Sequence, residues 1–430
     1  MLRNDRVLLL TVGTGTADQL RATVLEPFAK SIQAGEWTRV ILFPSKLTEA
    51  NAQAVAAEHA GLPVEIRALR RPGDEESVDA CFAHFDLEIS RLTAEGCAPA
   101  RMTADFTRGT KALSAALALA AAAHGVGSLR YIGATKRDER GMAVPGCERM
   151  SDLVPEAIWE RQRLVLGVSY LEAGDFRAAG RLFPGWPRAA WAGPRAYEIQ
   201  WLNWAACFWG AWDAFDYKSA HKLSGLSGMP PRKPAWASRF LPSEDQKSFL
   251  AGLAAQDLED PVAKADRCRD LGADLLANAV RRLGEGQTEE VLVRLYRVLE
   301  LTGQTRLFAA GLDSADLDRG HPAVQQWLAG LPDAPASNRN GKLEIGREKV
   351  ASLLQVLGDP LAGKLLDVSW LGEFGPVMRN KSILIHGFKS RTRNREKELS
   401  GLIGKLEAFY AAEDAANPKR LAAARFAFLA

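Results

Sequence analysis

The residues with the clearest chemical potential lie near the C-terminus, where residues 378–388 read MRNKSILIHGF. Arg379 and His386 are seven residues apart, so a helix here would place them two turns apart on one face, with Asn380 at its edge. Arginine binds phosphate through a planar, permanently charged guanidinium, and histidine is the side chain best suited to moving a proton near neutral pH. These residues predict RNA cleavage by the neighbouring 2′-hydroxyl, with Asn380 orienting the phosphate or the histidine.

The surrounding sequence fits a site that handles a polyanion. Residues 383–385 are apolar, which favours an interface position for Arg379 and His386. A basic run follows, and it suits an RNA backbone, although a solvated basic face is the alternative. It contains Lys389, Arg391, Arg393, Arg395 and Lys397. The motif itself holds no carboxylate, which argues against two-metal catalysis, so we expect neither a metal site nor a cofactor.

A second group of candidates lies in a loop near the N-terminus. Gly13, Thr14, Gly15 and Thr16 follow an apolar run and open a helical pattern. Glycines allow the backbone to approach an anion, and a helix N-terminus offers free N–H groups. The loop matches neither the GxGxxG fingerprint nor the Walker A motif. A ligand site and a simple strand-to-helix turn both remain open for it.

A third group, between a predicted strand and a predicted helix, gives a more specific signal. It combines an acid, two hydroxyls, a glycine and two cations within seven residues. These are Asp105, Thr107, Arg108, Gly109, Thr110 and Lys111. Such side chains bind phosphate and ribose, and open α/β folds bind ligands at the carboxyl ends of parallel strands. Asp105 could instead cap the following helix.

Alternating strands and helices must position the two N-terminal loops. Residues 7–12, 39–44, 63–69, 101–105 and 128–133 read as strands, and residues 17–32, 47–59, 78–95 and 112–124 read as helices. This order predicts right-handed βαβ units and a parallel sheet. From about residue 155 the pattern becomes helical, with a predicted hairpin turning at Gly174-Asp175 and a tryptophan-rich segment that we interpret as core.

The composition limits the classes of protein to which the chain can belong. The 430-residue chain is 47% hydrophobic and 25% charged, with a net charge of only +3, so nucleic-acid affinity would need a local basic patch. Its five cysteines are scattered without a CxxC pair, which favours reduced thiols in a cytoplasmic protein over disulfides or a zinc site. The N-terminal apolar run reads as a strand rather than a signal peptide, and the longest apolar stretch, residues 112–126, is too short to span a bilayer.

Taken together, these motifs resemble a known family. The TVGTG loop and the DFTRGTK loop resemble the CRISPR-associated Rossmann fold (CARF) domain, whose Asp/Asn-x-Ser/Thr-x-x-x-Arg/Lys pattern is matched by Asp105, Thr107 and Lys111. The segment from Arg379 to His386 resembles the R-x4–6-H signature of HEPN ribonucleases. The chain thus resembles the ancillary CARF–HEPN ribonucleases of type III CRISPR systems. The resemblance divides it into a CARF domain at 1–155, a helical connecting domain at 156–270 and a HEPN domain at 271–430.

The resemblance implies a function for both ends of the chain. The CARF loops would bind a cyclic oligoadenylate across the axis of a homodimer, as an allosteric activator. Two HEPN domains would pair into a composite site that cleaves single-stranded RNA without metal, leaving a 2′,3′-cyclic phosphate. Some CARF domains also cut their activator slowly, and Thr14, Thr16, Thr107 and Lys111 would be the residues involved.

Other functions stay open. The chain could be a CARF sensor without catalysis, or a ligand-activated, metal-dependent DNA nuclease, although no convincing carboxylate cluster stands in the C-terminal half. A nucleotide-dependent oxidoreductase is disfavoured because the second strand ends in Phe43-Pro44-Ser45-Lys46, without the expected acidic residue. Neither the ring size of an activator, four or six adenylates, nor the base preference of cleavage can be read from the sequence.

Overall fold

A computed structural model of the chain describes residues 5–15, 20–136, 147–185, 195–225, 229–255, 259–333, 335, 337, 342–374, 384 and 394–429. Its contacts divide the chain into two compact units, residues 1–163 and 164–430. The first unit is α/β and the second is helical, which confirms the predicted fold class. The further division at residues 155 and 270 stays a prediction.

A six-stranded sheet in the order β3-β2-β1-β4-β5-β6 forms the centre of the first unit. Its strands are β1 Val7–Val12, β2 Arg39–Pro44, β3 Val64–Ile66, β4 Met102–Asp105, β5 Ser128–Ala134 and β6 Glu148–Leu153. The first five run parallel, as predicted, whereas β6 pairs antiparallel with β5. Strand β6 was not predicted, because its residues, ERMSDL, are polar and mostly exposed and lack the alternation of a half-buried strand.

Helices cover both faces of this sheet. They are α1 Glu26–Gln33, preceded by a π-helical turn Arg21–Leu25, α2 Glu49–Glu58, α3 Val78–Ala94 and α4 Lys111–His124. One apolar cluster joins one face of the sheet to α3 and α4, and the other joins the opposite face to α1 and α2. Strand β1 is buried throughout, as expected of a central parallel strand with helices on both faces. The sheet is thus a rigid base for the loops at its carboxyl edge.

The second unit consists of helices around one large apolar core. In chain order the described helices are α5 Glu156–Glu172, which crosses the boundary between the units, α6 Phe176–Arg181, α7 Ala196–Asp213, α8 Tyr217–Ser224, α9 Glu244–Ala254, α10 Pro261–Gly284, α11 Thr288–Ala309, α12 Pro322–Ala329, α13 Arg347–Val356, α14 Ala362–Leu366, α15 Glu396–Ala411 and α16 Asn417–Ala424. The long helices α10 and α11 are joined by a short turn, which makes them an antiparallel pair.

Tryptophans of α7 form the centre of this core. Trp201, Trp204, Trp209 and Trp212 are each at most 3% exposed, so the predicted core role is confirmed and a base-stacking surface is excluded for them. Each indole N–H donates to a partner inside the unit, as buried tryptophan requires. The predicted turn at Gly174-Asp175 is also present, between α5 and α6, where Gly174 has a φ of +78°.

Candidate functional site

The two N-terminal loops lie side by side because β1 and β4 are neighbours. The strands pair in parallel with Leu10 opposite Asp105, so residues 13–15 and residues 106–110 leave the same edge of the sheet. Chain order reverses between these strands, and open α/β folds bind ligands at that point. A Cβ atom built on Gly13 would lie 2.9 Å from the backbone N of Gly109. Glycine at position 13 therefore allows the loops to approach this closely.

Asp105 has a structural role in the described contacts. Its side chain is buried, with one carboxylate oxygen 2.5 Å from the Ser31 hydroxyl and the other accepting the N–H of Thr107 at 2.9 Å. Arg130 donates to the Ser31 carbonyl at 2.9 Å and pairs with Asp152. The carboxylate therefore fixes the start of the second loop, and neither of its oxygens is presented to solvent.

The hydroxyl groups of the two threonines in the second loop, Thr107 and Thr110, also make hydrogen bonds within the fold. Thr110 caps α4 by accepting the N–H of Leu113 at 3.2 Å, and its hydroxyl donates to the Glu75 carbonyl. The Thr107 hydroxyl accepts the N–H of Ile132 at 2.8 Å, which leaves its hydrogen available for a ligand. Thr107 can thus serve structure and ligand together, whereas both hydrogen-bonding functions of Thr110 are already used.

Besides Thr107, the described loop residues with groups available to a ligand are Thr14, Lys111 and Arg108. Thr14 and Lys111 are exposed, and no partner for either side chain occurs in the described part of the chain. Arg108 is partly buried, and its Nε is buried with no hydrogen-bond partner among the described residues. Burial lowers the pKa of the Arg108 guanidinium, although Asp105 opposes that shift. A desolvated cation of this kind binds an incoming anion more strongly than a solvated one does. Thr16 lies outside the described residues.

Two features of this edge could not be predicted from the sequence. Asn51 on α2 donates to the carbonyl oxygens of Gly13 and Thr14, each at 2.9 Å. The rings of Phe106 and Tyr131 stack with centroids 5.7 Å apart, and Tyr131 is 41% exposed. A lone asparagine in a helix carries no sequence signal. Phe106 stands inside the predicted loop, but its partner could be found only once β4 and β5 were known to be neighbours.

The predicted catalytic residues Arg379, Asn380 and His386 lie outside the described residues, so their predicted helix and roles stay predictions. Of the basic run, Arg395 immediately precedes α15, and Lys397 is exposed in its first turn. Helix α15 buries a continuous apolar face formed by Leu399, Leu402, Ile403, Leu406, Phe409 and Tyr410. The chain that follows the predicted motif is therefore anchored firmly in the helical core.

Buried carboxylates join the helices of the second unit. The side chain of Asp274 on α10 is fully buried and accepts from the Trp212 indole at 3.0 Å and the Tyr217 hydroxyl at 2.8 Å. Burial raises the pKa of Asp274 to about 6, against the opposing effect of Arg281. The Glu413 carboxylate accepts from Nε and Nη2 of Arg269, at 3.0 and 3.1 Å. These contacts hold α7, α10 and the segment after α15 together.

Within the described ranges, no group of three or more His, Cys, Asp or Glu side chains has the arrangement of a metal site. The cysteines described, Cys81, Cys97, Cys147, Cys207 and Cys268, are all free thiols. Burial is the main cause of a raised pKa at Cys81 and Cys268, each to about 11, so both are in the thiol form at neutral pH.

Comparison with known proteins adds evidence for the second unit. Residues 263–410, about a third of the chain, match the family model described as the Csm6 HEPN domain. This range contains Arg379, Asn380 and His386, the helices from α11 to α14 and all but the last residue of α15.

A curated relative matches a shorter part of the chain. It is a UPF0283 membrane protein of Yersinia pseudotuberculosis serotype IB (strain PB1/+), 29% identical over 117 residues, which cover 24% of this chain. The chain spans about a third (33%) of the length of that relative. Among the helices described here, none is both long enough and apolar enough to cross a membrane.

One solved structure is similar over nearly the whole chain. It is Enterococcus italicus Csm6 bound to cyclic hexa-2′-fluoro-hexa-dAMP, with 14% sequence identity and a TM-score of 0.49, covering 96% of this chain and 95% of that one. The match of residues 263–410 to the Csm6 HEPN model and the parallel, Rossmann-like sheet of the first unit bear out the resemblance to the CARF–HEPN ribonucleases.

Proposed function

We propose that this chain is a metal-independent endoribonuclease of type III CRISPR defence that cleaves single-stranded RNA and is switched on by a cyclic oligoadenylate. The observation that carries the proposal is the match of residues 263–410 to the Csm6 HEPN domain, because this range contains the arginine, asparagine and histidine predicted from the sequence. The proposed location is the cytoplasm, where the RNA substrate occurs.

The proposed chemistry is attack by the 2′-hydroxyl on the adjacent phosphorus. His386 takes the proton of the attacking hydroxyl or supplies one to the leaving 5′-oxygen, and Arg379 stabilises the negative charge of the phosphorane. Asn380 orients the phosphate or the histidine. In a homodimer two copies of the motif supply two histidines, so one acts as base and the other as acid. The products are a 2′,3′-cyclic phosphate and a 5′-hydroxyl.

The proposed activator site is the edge of the sheet formed by residues 13–16 and 105–111. Its support is the geometry of this edge: two loops in contact, exposed Thr14 and Lys111, and Arg108 with an unpartnered Nε within the described chain. A cyclic oligoadenylate carries one phosphate per nucleotide, which suits these cations and a glycine-rich backbone. The ligand activates by binding more tightly to the arrangement in which the HEPN domains are competent.

The test is cleavage of a fluorescent single-stranded RNA in chelator, with cyclic tetra-adenylate, cyclic hexa-adenylate or neither. We expect one ring to raise the rate of the wild-type chain and His386→Ala to abolish cleavage. His221→Ala is the matched control, because His221 is an exposed histidine on α8, outside the matched domain. The products should react as 2′,3′-cyclic phosphates.

Each alternative gives a different result in the same assay. Ligand binding with no cleavage, unaffected by His386→Ala, would identify a sensor without catalysis. Cleavage of DNA that stops in chelator would identify a metal-dependent nuclease. Equal RNA cleavage with and without every ring would refute allosteric activation. Chromatography of the ligand after incubation shows whether the first unit also degrades its activator.

A further inference from the structure

The Asn51 side chain has an unusual pair of contacts at the first loop. Its amide nitrogen donates one hydrogen to the carbonyl oxygen of Gly13 and the other to that of Thr14, each at 2.9 Å. A carbonyl oxygen can only accept, so these two partners require the nitrogen, and not the oxygen, of the Asn51 amide to face the loop. Both donors of the amide are therefore used to hold two successive peptide groups.

Peptide geometry then fixes the direction of two backbone N–H groups. In a planar trans peptide the N–H points opposite to the C=O of the same unit. Because the carbonyls of Gly13 and Thr14 both point to Asn51, the N–H groups of Thr14 and Gly15 both point away from it. No acceptor for either N–H occurs within the described part of the chain. Successive N–H groups with a common direction form an anion-binding concavity.

The chain turns at Gly15, directly after the two N–H groups. Its φ is +64°, in the left-handed region, and a Cβ atom added to it would collide with Val24 Cγ2. A larger residue is thus excluded both by conformation and by space. Glycine at position 15 therefore specifies the direction in which the chain leaves the two N–H groups.

We propose that Asn51 is a positioning residue for a phosphate subsite formed by the N–H groups of Thr14 and Gly15. The ligand class is a phosphate or phosphodiester. Its assignment to a phosphate of cyclic oligoadenylate rests on the proposed function, whereas the subsite itself rests on the loop geometry. Asn51 acts through the backbone and does not touch the ligand.

The test compares Asn51→Asp with the wild-type chain and with Gln53→Ala, an exposed position on the same helix. At pH 8 the new carboxylate has no hydrogen to donate and repels both carbonyls, so we expect affinity for cyclic oligoadenylate to fall at least tenfold. Near pH 5 the carboxyl group becomes protonated, since neighbouring carbonyl oxygens raise its pKa, and it regains one donor. Affinity should then recover in Asn51→Asp, whereas the wild type and Gln53→Ala show no such pH dependence.

A second measurement observes the subsite directly. Labelling threonine carbonyls with ¹³C and glycine amides with ¹⁵N selects the two Thr-Gly pairs of the chain, Thr14-Gly15 and Thr302-Gly303. Gly303 is buried in α11 and serves as the internal control. Titration with inorganic phosphate should shift the Gly15 amide resonance in the wild type but not in Asn51→Asp at pH 8.

The outcomes of these tests distinguish the proposed activator from the phosphate subsite. A Gly15 shift with phosphate, but no binding of any cyclic oligoadenylate, would refute the proposed activator and leave the subsite supported. Absence of a Gly15 shift in the wild type with both ligands would overturn the subsite. Equal shifts, affinities and pH profiles in the wild type and Asn51→Asp would overturn the role of Asn51, whatever the melting temperature of the variant.

Discussion

Replacement of Gly13 by alanine tests whether the contact between the two N-terminal loops matters for ligand binding. The added Cβ would lie 2.9 Å from the backbone N of Gly109 and 3.4 Å from its Cα. Because ordinary carbon–nitrogen contacts begin near 3.4 Å, the two loops must move apart by about 0.5 Å to remove this steric conflict. The atoms in conflict belong to backbone, so no side chain can rotate away to relieve it.

The free-energy cost of Gly13→Ala can be estimated from this geometry. Overpacking a close contact costs about 1–3 kcal/mol, which for a unit of this size lowers the melting temperature by roughly 2–12 °C. A ligand that needs both loops at once must work against the same displacement. We expect Gly13→Ala to weaken cyclic oligoadenylate binding by about 10- to 30-fold, which corresponds to about 1.4–2 kcal/mol.

Calorimetric titration and thermal denaturation of the full chain measure both effects. Gly61→Ala is the matched control, because a Cβ at Gly61 meets nothing within 4 Å and its backbone is not left-handed. It should change neither affinity nor melting temperature measurably. Gly13→Ala with wild-type affinity would show that the ligand does not bridge the loops, and the reasoning about their contact would be wrong.

Two further predictions concern the helical unit. Asp274→Asn should flatten the pH dependence of stability between pH 4 and 7. The folded pKa of Asp274, about 6, exceeds the unfolded value, so the wild type loses up to about 3 kcal/mol of stability from this group as pH rises through that range. Urea unfolding at several pH values should therefore show that the variant gains stability over the wild type as pH rises. Trp209→Ala should lower the free energy of unfolding by about 3–5 kcal/mol in the same assay at pH 7. Trp209→Phe should lower it by about 1–2 kcal/mol, because the hydrogen bond to the Phe240 carbonyl is lost. Equal values for the two variants would contradict the packing described.

The elements with strong periodicity could be predicted from the sequence. Strands β1 and β2 were predicted with the bounds observed, Val7–Val12 and Arg39–Pro44, because central parallel strands are continuous apolar runs. Strand β6 could not be predicted, since a polar edge strand is defined by its pairing with β5 and not by its own composition.

The candidate site was predictable in its location but not in its detail. The sequence identified both loops, and their proximity follows from strand order. It could not show that the Asp105 carboxylate accepts from the Ser31 hydroxyl, or that Asn51 donates to the carbonyls of Gly13 and Thr14. These partners are distant in the chain and are brought together by tertiary packing.

The aromatic core has a consequence for the order of folding. The ring of Trp209 lies 4.5 Å from that of Phe426 and 4.9 Å from that of Phe428, so α7 is completed by residues made much later in synthesis. Contacts of such long sequence separation form late, and a growing chain generally folds its N-terminal domain first. A nascent chain that stopped before Phe426 would hold the contacts of the sheet but leave the tryptophans uncovered. During translation, the α/β unit can thus be folded while the core of the helical unit is still incomplete.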